Sequence, residues 1–310
     1  MAETLVVAPL SPATDTFTAM GSNAHVIVLA DSVQQALELV QLARTTVDGL
    51  ERLWSRFLAH SDIGRINSMP GVPVRVDALS IDLVARSVDA WEQTAGVFDP
   101  TIGRSMRCAG YDRPLDQMAP FVHSSAAAAP SPRGIEIHRS ASTIAVPPGV
   151  LLDLGGIGKG AAADHAVDVV LDAGASGAMV NLGGDLRAGG VAPENGWLVQ
   201  LECPGSEGQA SIRIASGAVC TSSTVKRRWN TSDGERHHIL DAVTGASVDS
   251  DICSATVIGA TAAQCEVLAT TSIAIGRSAA TRFLETHHTS GVLVDEQGQL
   301  HDVGMIGAYR

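Results

Sequence analysis

Short apolar strands separated by glycine are the feature of this chain that most constrains its fold. From Gly149 onward they include LLDLGG, AMVNLGGD, WLVQLEC and GAVCTSS, and the last predicted strand is GVLVDE. Apolar residues at helical spacing occur over residues 33–57, 81–91 and 263–275. Because strands and helices mix without a regular βαβ repeat, the sequence predicts an α+β fold with mixed sheets and packed helices.

The composition favours a folded protein whose ligands are not nucleic acids. Hydrophobic residues make up 45% of the sequence and charged residues 17%, which leaves ample apolar surface to offset chain entropy. The formal net charge of -12 disfavours a broad electropositive surface for nucleic-acid phosphates. An anionic ligand would therefore be held locally, by a bound cation, a helix N-terminus or a glycine-rich turn.

Cysteine usage and the N-terminal sequence predict a cytoplasmic protein without a membrane span. The five cysteines are scattered and include no C-x-x-C pair, which favours free thiols in a reducing compartment. The first residues lack the basic and apolar regions of a signal peptide, and no segment of about 18 residues is free of charge. We expect a flexible tail over residues 1–17, one domain over residues 18–310 and a mobile surface insertion over residues 123–134.

A glycine-rich turn that leads into a predicted helix is a candidate anion site. In DLGGIGKGAAAD, residues 153–164, Gly156, Gly158 and Ala161 loosely satisfy the dinucleotide fingerprint G-x-G-x-x-A. No clear second strand ending in an acid follows, so the fingerprint is incomplete. Backbone N–H groups, the helix start and Lys159 still favour phosphate or pyrophosphate binding. The alternative is a tight strand-to-helix turn with an exposed lysine.

Further polar side chains occupy strand or helix positions that suit a ligand. Asp185 follows the turn sequence NLGG, and Thr221 with Ser222 ends an apolar strand. On their own, these are ordinary turn residues. Glu266 and Thr270 share one face of a predicted helix, so their oxygens converge as a hard cation requires. The alternative has the Thr270 hydroxyl bonded to the backbone and Glu266 near the surface.

A histidine followed three residues later by an aspartate is a candidate proton relay. In HHILD, residues 237–241, Asp241 would fix the tautomer of His238 and raise its basicity. The spacing does not fit H-E-x-x-H, and no partner set predicts zinc. The alternative is a surface histidine pair before a turn.

Taken in order, these segments resemble the FAD:protein FMN transferase (ApbE) family from Met20-Gly21 to about Gly276. Seven segments carry the resemblance: Ser55-Arg-Phe57 with Ser61-x-Ile63 and Asn67, Phe98-Asp-Pro-Thr101, Leu154-Gly-Gly-Ile-Gly-Lys-Gly160 with Asp164, Asn181-Leu-Gly-Gly-Asp185, Thr221-Ser222, His238-Ile-Leu-Asp241 with Thr244-Gly245, and the helix from Glu266 to Thr270. The resemblance implies an α+β, T-shaped fold with FAD between a larger core and a smaller lobe.

The resemblance also implies roles for individual residues. FAD would contact Met20 and Phe57 at the flavin end, Asp99 and Thr101 in the pocket, and Gly156, Lys159, Asp185, Thr221 and Ser222 along the rest of the ligand. Mg²⁺ would be held by Glu266, Thr270 and a backbone carbonyl near Gly158. His238, oriented by Asp241, would act as the base. The family usually has Asp at the position of Glu266, so the carboxylate here reaches one methylene further.

The activity implied is a Mg²⁺-dependent cleavage of FAD that attaches FMN to a threonine or serine of an acceptor redox flavoprotein and releases AMP. Two alternatives stay open. One is a Mg²⁺-dependent FAD pyrophosphatase that releases free FMN and AMP, and the other is a FAD-binding protein without turnover.

Overall fold

A computed structural model of the chain describes residues 10–120, 122–205, 210–232 and 234–310. Its helices are α1 (Val33–Trp54), α2 (Asp62–Ser68), α3 (Ala78–Gln93), α4 (Gly103–Cys108), α5 (Gly158–Asp172), α6 (Ala262–Ile275) and α7 (Arg277–Thr286). Its strands are β1 (Ser11–Ala19), β2 (Ser22–Ala30), β3 (Val74–Arg75), β4 (Glu136–His138), β5 (Thr143–Ala145), β6 (Gly177–Leu182), β7 (Asp185–Gly190), β8 (Trp197–Gln200), β9 (Ser211–Ile214), β10 (Gly217–Ser223), β11 (Arg228–Thr231), β12 (Gly234–His237), β13 (Ile252–Gly259), β14 (Ser290–Asp295) and β15 (Leu300–Val303).

Eight of these strands form a central sheet in the order β1-β2-β6-β7-β10-β13-β14-β15. Each neighbouring pair of strands in this order is antiparallel. Three small sheets, β3-β5-β4, β8-β9 and β11-β12, accompany it. The predicted α+β class is confirmed, and the sheets, expected to be mixed, are antiparallel in the named strands.

Helices α1, α5 and α6 cover one face of the central sheet. Helix α1 packs on β1 and β2, α5 on β6 and β7, and α6 on β10 and β13. Helix α1 begins at Ser32, whose hydroxyl accepts a hydrogen bond from the Gln35 N–H at 3.2 Å, as the sequence predicts. Helix α6 is buried nearly all round because α5 and α7 pack against its remaining sides.

The opposite face of the central sheet has its own apolar cluster. Met179, Leu186 and Val219 from the sheet pack there with Trp197 of β8 and Ile212 of β9. When both faces of a sheet are covered, the side chains on both sides of a strand are buried. All six residues of β14 are accordingly buried. The two covered faces fix the sheet, and the turns at its ends remain free to build a site.

Three predictions about local structure are wrong. A flexible tail was predicted over residues 1–17, but strand β1 begins at Ser11, so residues 11–17 belong to the central sheet. Residues 1–9 lie outside the described part of the chain. Strand β1 lies at the edge of the sheet and has mostly polar residues, so a search for apolar segments does not detect it. GVLVDE is not the last strand, because β15 pairs with it. LLDLGG forms no strand: Leu151 makes one isolated bridge to Ile102.

The insertion predicted over residues 123–134 contains no helix or strand, but it is attached to the protein at several points. The Ser125 N–H donates to the Cys108 carbonyl at 2.7 Å, and the Ala129 N–H donates to the Ala242 carbonyl at 2.8 Å. Among the residues described, no helix has the length and apolar character needed to cross a bilayer.

Candidate functional site

A large cleft lies at the end of the central sheet where the β1–β2 turn, the β6–β7 turn and the C-terminus of β10 meet. Its cavity volume is about 1610 Å³. Ordinary small-molecule pockets measure roughly 300–1,000 Å³. The cleft therefore has room for a long ligand, or for two reactants together.

The β1–β2 turn brings Met20 into the cleft in a conformation that is rare for a side-chain-bearing residue. Met20 and Gly21 form the two-residue loop of the hairpin, with φ of 50° and 64°. Such loops match the twist of paired strands but favour glycine or asparagine. A methionine held there points to a local requirement for its side chain at the cleft wall.

The β6–β7 turn presents Asp185 to the cleft. Gly183 and Gly184 both have positive φ, 67° and 106°, and the Asn181 side chain accepts a hydrogen bond from the Gly184 N–H at 2.9 Å. A Cβ on Gly183 would lie 2.6 Å from the side chain of Ser22, so the turn packs closely on the first hairpin. This explains the spacing of the NLGGD segment: two glycines make the turn, and Asp185 follows it.

The glycine loop of residues 153–158 is fixed by side chains from the α1–α2 region. Arg56 pairs with Asp153 at 2.7 Å, and both side chains are about nine-tenths buried. Asn67 donates to the Leu152 carbonyl at 2.9 Å and accepts from the Leu152 N–H at 2.7 Å. These contacts occupy the backbone that LLDLGG would need to pair as a strand, which is why that prediction fails.

Lys159 is buried between two carboxylates. Its ammonium lies 2.8 Å from Asp185 Oδ2, contacts Glu266 Oε1 and donates to the Gly155 carbonyl. Burial alone would lower the pKa of Lys159, but the negative charges of Asp185 and Glu266 outweigh it and raise that pKa. Burial, reinforced by Asp185 and opposed by Lys159, raises the pKa of Glu266. The lysine is neither exposed nor free, contrary to both sequence interpretations.

Glu266 also binds the N-terminus of α5, where the sequence predicts a phosphate. Its Oε2 accepts a hydrogen bond from the Gly160 N–H at 2.8 Å. A Cβ on Gly160 would lie 2.3 Å from the Ala262 carbonyl, so α5 and α6 approach closely because this residue is glycine. Direct phosphate binding by this N–H and by Lys159 is therefore not what the structure displays.

Hydroxyl groups line the cleft beside this cluster. The hydroxyls of Thr270 and Ser222 are 2.8 Å apart, and those of Thr221 and Thr256 are also 2.8 Å apart. The Thr270 hydroxyl thus bonds a side chain across the site. The predicted convergence of Glu266 and Thr270 on one wall of the cleft is present.

The residues of this wall fit a hard cation. Asp185 Oδ1 is buried and has no hydrogen-bond partner among the described residues, which leaves a carboxylate oxygen that a cation would satisfy. Carboxylate, hydroxyl and carbonyl oxygens are the ligands that Mg²⁺ prefers. No group of three or more His, Cys, Asp and Glu side chains suited to a metal occurs in the described ranges. A cation here would therefore need Thr270 or a backbone carbonyl as well.

His238 lines the cleft, but the predicted relay to Asp241 is not formed. Asp241 Oδ1 instead accepts hydrogen bonds from the N–H groups of Val243 and Thr244, at 2.9 and 2.7 Å. His238 Nδ1 is buried without a partner in the part of the chain described. An aspartate at the start of a turn caps that turn locally, and here this cap replaces a bond to the imidazole. Burial, with Arg227 nearby, lowers the pKa of His238 well below its usual range.

Asp99 and Thr101 act as a pair of which Asp99 faces the cleft. Asp99 Oδ1 accepts from the Thr101 N–H at 2.7 Å and from its hydroxyl at 2.6 Å. Thr101 is fully buried and does not line the cleft, so in this structure it supports Asp99. Burial raises the pKa of Asp99, and the hydrogen bonds from Thr101 oppose that rise.

The other predicted site residues also line the cleft. These cleft-lining residues are Met20, Phe57, Gly156, Gly158, Lys159, Asp185, Thr221, Ser222, Glu266 and Thr270. Sequence reasoning missed Arg227 and Lys226, which also line the cleft. The signal was available: the basic run Lys-Arg-Arg follows Thr221-Ser222 by a few residues.

Comparison with known proteins identifies the family of this chain. The chain matches the ApbE family over residues 20–294 and belongs to that family. It is 28% identical over 280 residues to an FAD:protein FMN transferase of Treponema pallidum, covering 80% of this chain and 73% of the relative. It is 26% identical over 292 residues to an FAD:protein FMN transferase of Salmonella typhimurium, covering 90% and 83%.

Solved structures show the same fold. The ApbE protein of Thermotoga maritima superposes with a TM-score of 0.84 at 23% identity, covering 96% of this chain and 99% of that one. The apo flavinyl transferase ApbE of Pseudomonas stutzeri superposes with a TM-score of 0.79 at 20% identity, covering 96% of each chain.

Proposed function

We propose that this chain is an FAD:protein FMN transferase, which cleaves FAD, attaches FMN to a threonine or serine of an acceptor protein and releases AMP. The observation that carries the proposal is the joining, in one large cleft, of a carboxylate cluster suited to a cation with a neutral imidazole. The activity in the names of the relatives supports it.

The charge of the cleft explains why a divalent cation belongs in the proposal. Among the residues that the structure describes, seven carboxylate side chains and four cationic ones line the cleft. A pyrophosphate entering it would meet a net negative wall, and like charges at short range repel strongly where water is scarce. We assign Mg²⁺ to Glu266, Thr270 and the Gly158 carbonyl, with Asp185 beside them. When bound, Mg²⁺ neutralises charge on the pyrophosphate.

The rest of the cleft would bind FAD. Met20 and Phe57 offer apolar surface at one end, where the flavin ring fits. Phe98, which lines the cleft, lies 3.1 Å from where a Cβ on Gly156 would stand, so a larger residue at position 156 would crowd this ring. Asp99, Thr221 and Ser222 supply hydrogen-bonding groups along the remaining length.

His238 is the base of the proposed reaction. Its pKa is lowered, so the imidazole is neutral at pH 7 and can accept the proton of an acceptor hydroxyl. The hydroxyl oxygen attacks the FMN phosphorus, the bond from that phosphorus to the bridging oxygen breaks, and AMP leaves with the bonding electrons. Asp241 has no part in this step, since its carboxylate is held by the turn at Val243 and Thr244.

The acceptor and the compartment are the finer parts of the proposal. The acceptor is a redox flavoprotein that presents a threonine or serine in a short motif, because the cleft must admit a chain segment beside FAD. The compartment is the cytoplasm, which the five free thiols support.

One experiment tests the activity. The protein is incubated with FAD, Mg²⁺ and a purified redox flavoprotein domain that carries the threonine motif, and the intact mass of the acceptor and the AMP released are measured. The expected result is one FMN adduct per acceptor and an equal amount of AMP, both lost in excess EDTA. An acceptor with threonine changed to alanine is the control.

The same experiment separates the alternatives. Free FMN and AMP without an adduct, across several acceptors, would identify a FAD pyrophosphatase. Intact FAD after long incubation would identify a flavin-binding protein. Either result would overturn the transferase proposal.

A further inference from the structure

Four cationic side chains of the described residues line the cleft, and three of them are already paired with carboxylates. The pairs are Arg56 with Asp153, Lys159 with Asp185 and Glu266, and Lys226 with Glu202. Within the described ranges, Arg227 has no carboxylate within ion-pair distance. Among the described cationic side chains of the cleft, Arg227 is therefore the one whose charge no described carboxylate neutralises.

Arg227 lies directly opposite His238. The His238 N–H donates to the Arg227 carbonyl at 3.1 Å, one step beyond the Arg228–His237 pair of the β11–β12 hairpin. Opposed residues of an antiparallel pair project from the same side, and both residues line the cleft. After burial, Arg227 is the largest cause of the lowered pKa of His238, so the guanidinium and the imidazole are close.

One hydrogen bond, from a single nitrogen, orients the Arg227 guanidinium. Arg227 Nη2 donates to the Ser22 hydroxyl at 2.8 Å, and Ser22 begins β2 beside the Met20-Gly21 turn. A guanidinium carries several N–H donors in a planar fork that matches phosphate oxygens. Anchored at one nitrogen and half-buried, Arg227 keeps the rest of its fork available to a ligand.

We propose that Arg227 binds the phosphate on the FMN side of FAD and stabilises the charge on that phosphate while it is transferred. This inference rests on the proposed function. The acceptor oxygen forms its bond to the phosphorus, the bridging oxygen leaves with the electron pair of the broken bond as part of AMP, and the hydroxyl proton passes to His238. Throughout, the non-bridging oxygens carry negative charge that a fixed guanidinium offsets.

Lys159 is not equivalent to Arg227 in this respect. The sequence suggests Lys159 as the phosphate contact, but two carboxylates hold its ammonium. A lysine shared by two buried carboxylates organises the wall of the cleft and offers little net charge to a ligand. The direct positive contact to phosphate therefore falls to the opposite wall, at Arg227.

The test compares ligands that differ in their phosphates. Riboflavin has none, FMN has one and FAD has two, and each is titrated with Mg²⁺ present against wild type, Arg227→Gln and Arg227→Lys. In Arg227→Gln we expect FMN and FAD to bind at least about 10-fold more weakly, with riboflavin changed less than about 2-fold. The rate of FMN transfer at saturating FAD should fall by about 10²–10³-fold. Arg227→Lys should recover part of both losses.

Arg228→Gln is the matched control. Arg228 is the next residue, is exposed and pairs with Glu235 across the hairpin, so its loss should leave all three affinities and the transfer rate unchanged. Equal weakening of riboflavin, FMN and FAD in Arg227→Gln would show a structural role and overturn the inference, as would no change at all.

The binding arm needs no turnover. If wild type neither transfers FMN nor cleaves FAD, the proposed function fails, while the riboflavin, FMN and FAD series still decides whether Arg227 contacts phosphate. If Arg227→Gln does not fold, as its thermal melting would show, Arg227→Lys and Ser22→Ala carry the test. Both should weaken FMN relative to riboflavin, and an unchanged ratio in both would overturn the inference.

Discussion

In the α5–α6 wall of the cleft, which comprises Lys159, Asp185, Glu266 and Thr270, nearly every polar atom has a partner. In the β11–β12 wall, which comprises Arg227 and His238, charge and lone pairs face the cleft with few partners. The first wall is held by helix packing and close glycine contacts, and the second by a two-stranded hairpin. The difference indicates a division of labour: one wall holds its shape for a cation, and the other acts on the substrate.

Replacing His238 should have the largest effect, because it removes the base that accepts the proton of the acceptor hydroxyl. His238→Ala should lower the rate of FMN transfer by about 10²–10⁴-fold and leave FAD affinity nearly unchanged. The measurement is single-turnover transfer together with FAD titration. His237→Ala is the matched control: its Nε2 bonds the Val248 carbonyl, so it should cost stability and leave the chemistry intact.

Asp241→Asn sharpens the same comparison. Because Asp241 Oδ1 caps the turn at Val243 and Thr244, the amide oxygen of Asn can replace it, and the rate should stay within about 2-fold of wild type. A large rate loss in Asp241→Asn with normal stability would restore the relay that the structure does not display.

Breaking the support of the glycine loop should have the next largest effect. Asp153→Asn leaves Arg56 buried without its countercharge, and losing one partner of a buried pair costs about 3–5 kcal/mol in the free energy of unfolding. Urea denaturation measures this. Asp112→Asn breaks an exposed pair with Arg113 and should cost at most about 1 kcal/mol. Similar losses in the two variants would contradict the idea that the glycine loop depends on its buried pair.

The contrast between the walls also explains what the sequence could predict. Glu266 and Thr270 follow helical spacing, and the NLGGD turn needs its glycines, so local rules locate both. Arg227 escapes such rules because its importance depends on what the other three cationic side chains of the cleft contact, and those partners are distant in sequence.

The fold was predictable to a similar extent. Apolar patterns identified α1, α3, α6 and the strands β6, β8, β10 and β14, but not the buried strand β13. They missed β1, whose outward face is polar, and they misread LLDLGG, whose backbone is bound by the distant Asn67 side chain. A strand signal shows that a segment is apolar and short, whereas pairing depends on a partner that the local sequence does not contain.

Glu266→Gln should affect the α5–α6 wall by a smaller amount than the changes above. The amide keeps the size of the side chain but loses the charge that balances a dication, so Mg²⁺ should bind about 10-fold more weakly or worse. Glu266→Asp keeps the charge and should retain most of the activity. The measurement is the Mg²⁺ concentration that gives half-maximal transfer. Equal Mg²⁺ dependence in wild type and Glu266→Gln would remove Glu266 from the metal site.

The smallest expected effect is a pH dependence of stability that belongs to the β11–β12 wall. Burial lowers the pKa of His237 and of His238 in the folded protein. The unfolded chain therefore binds protons first, near the usual histidine pKa of about 6.5. The stabilisation is fully present above that pH and is lost as the pH falls toward the folded pKa, by up to about 1.4 kcal/mol per pH unit for each histidine.

Urea denaturation of wild type and His238→Asn at pH 7.5, 6.5 and 5.5 isolates the contribution of His238, because the other titratable groups are present in both proteins. Wild type should lose more stability relative to the variant between pH 6.5 and 5.5 than between 7.5 and 6.5, because about half of the unfolded chains carry the proton at pH 6.5. A parallel course of the two proteins across all three pH values would mean that His238 is protonated as easily in the folded protein as in the unfolded chain, and the premise that burial lowers its pKa would then be wrong.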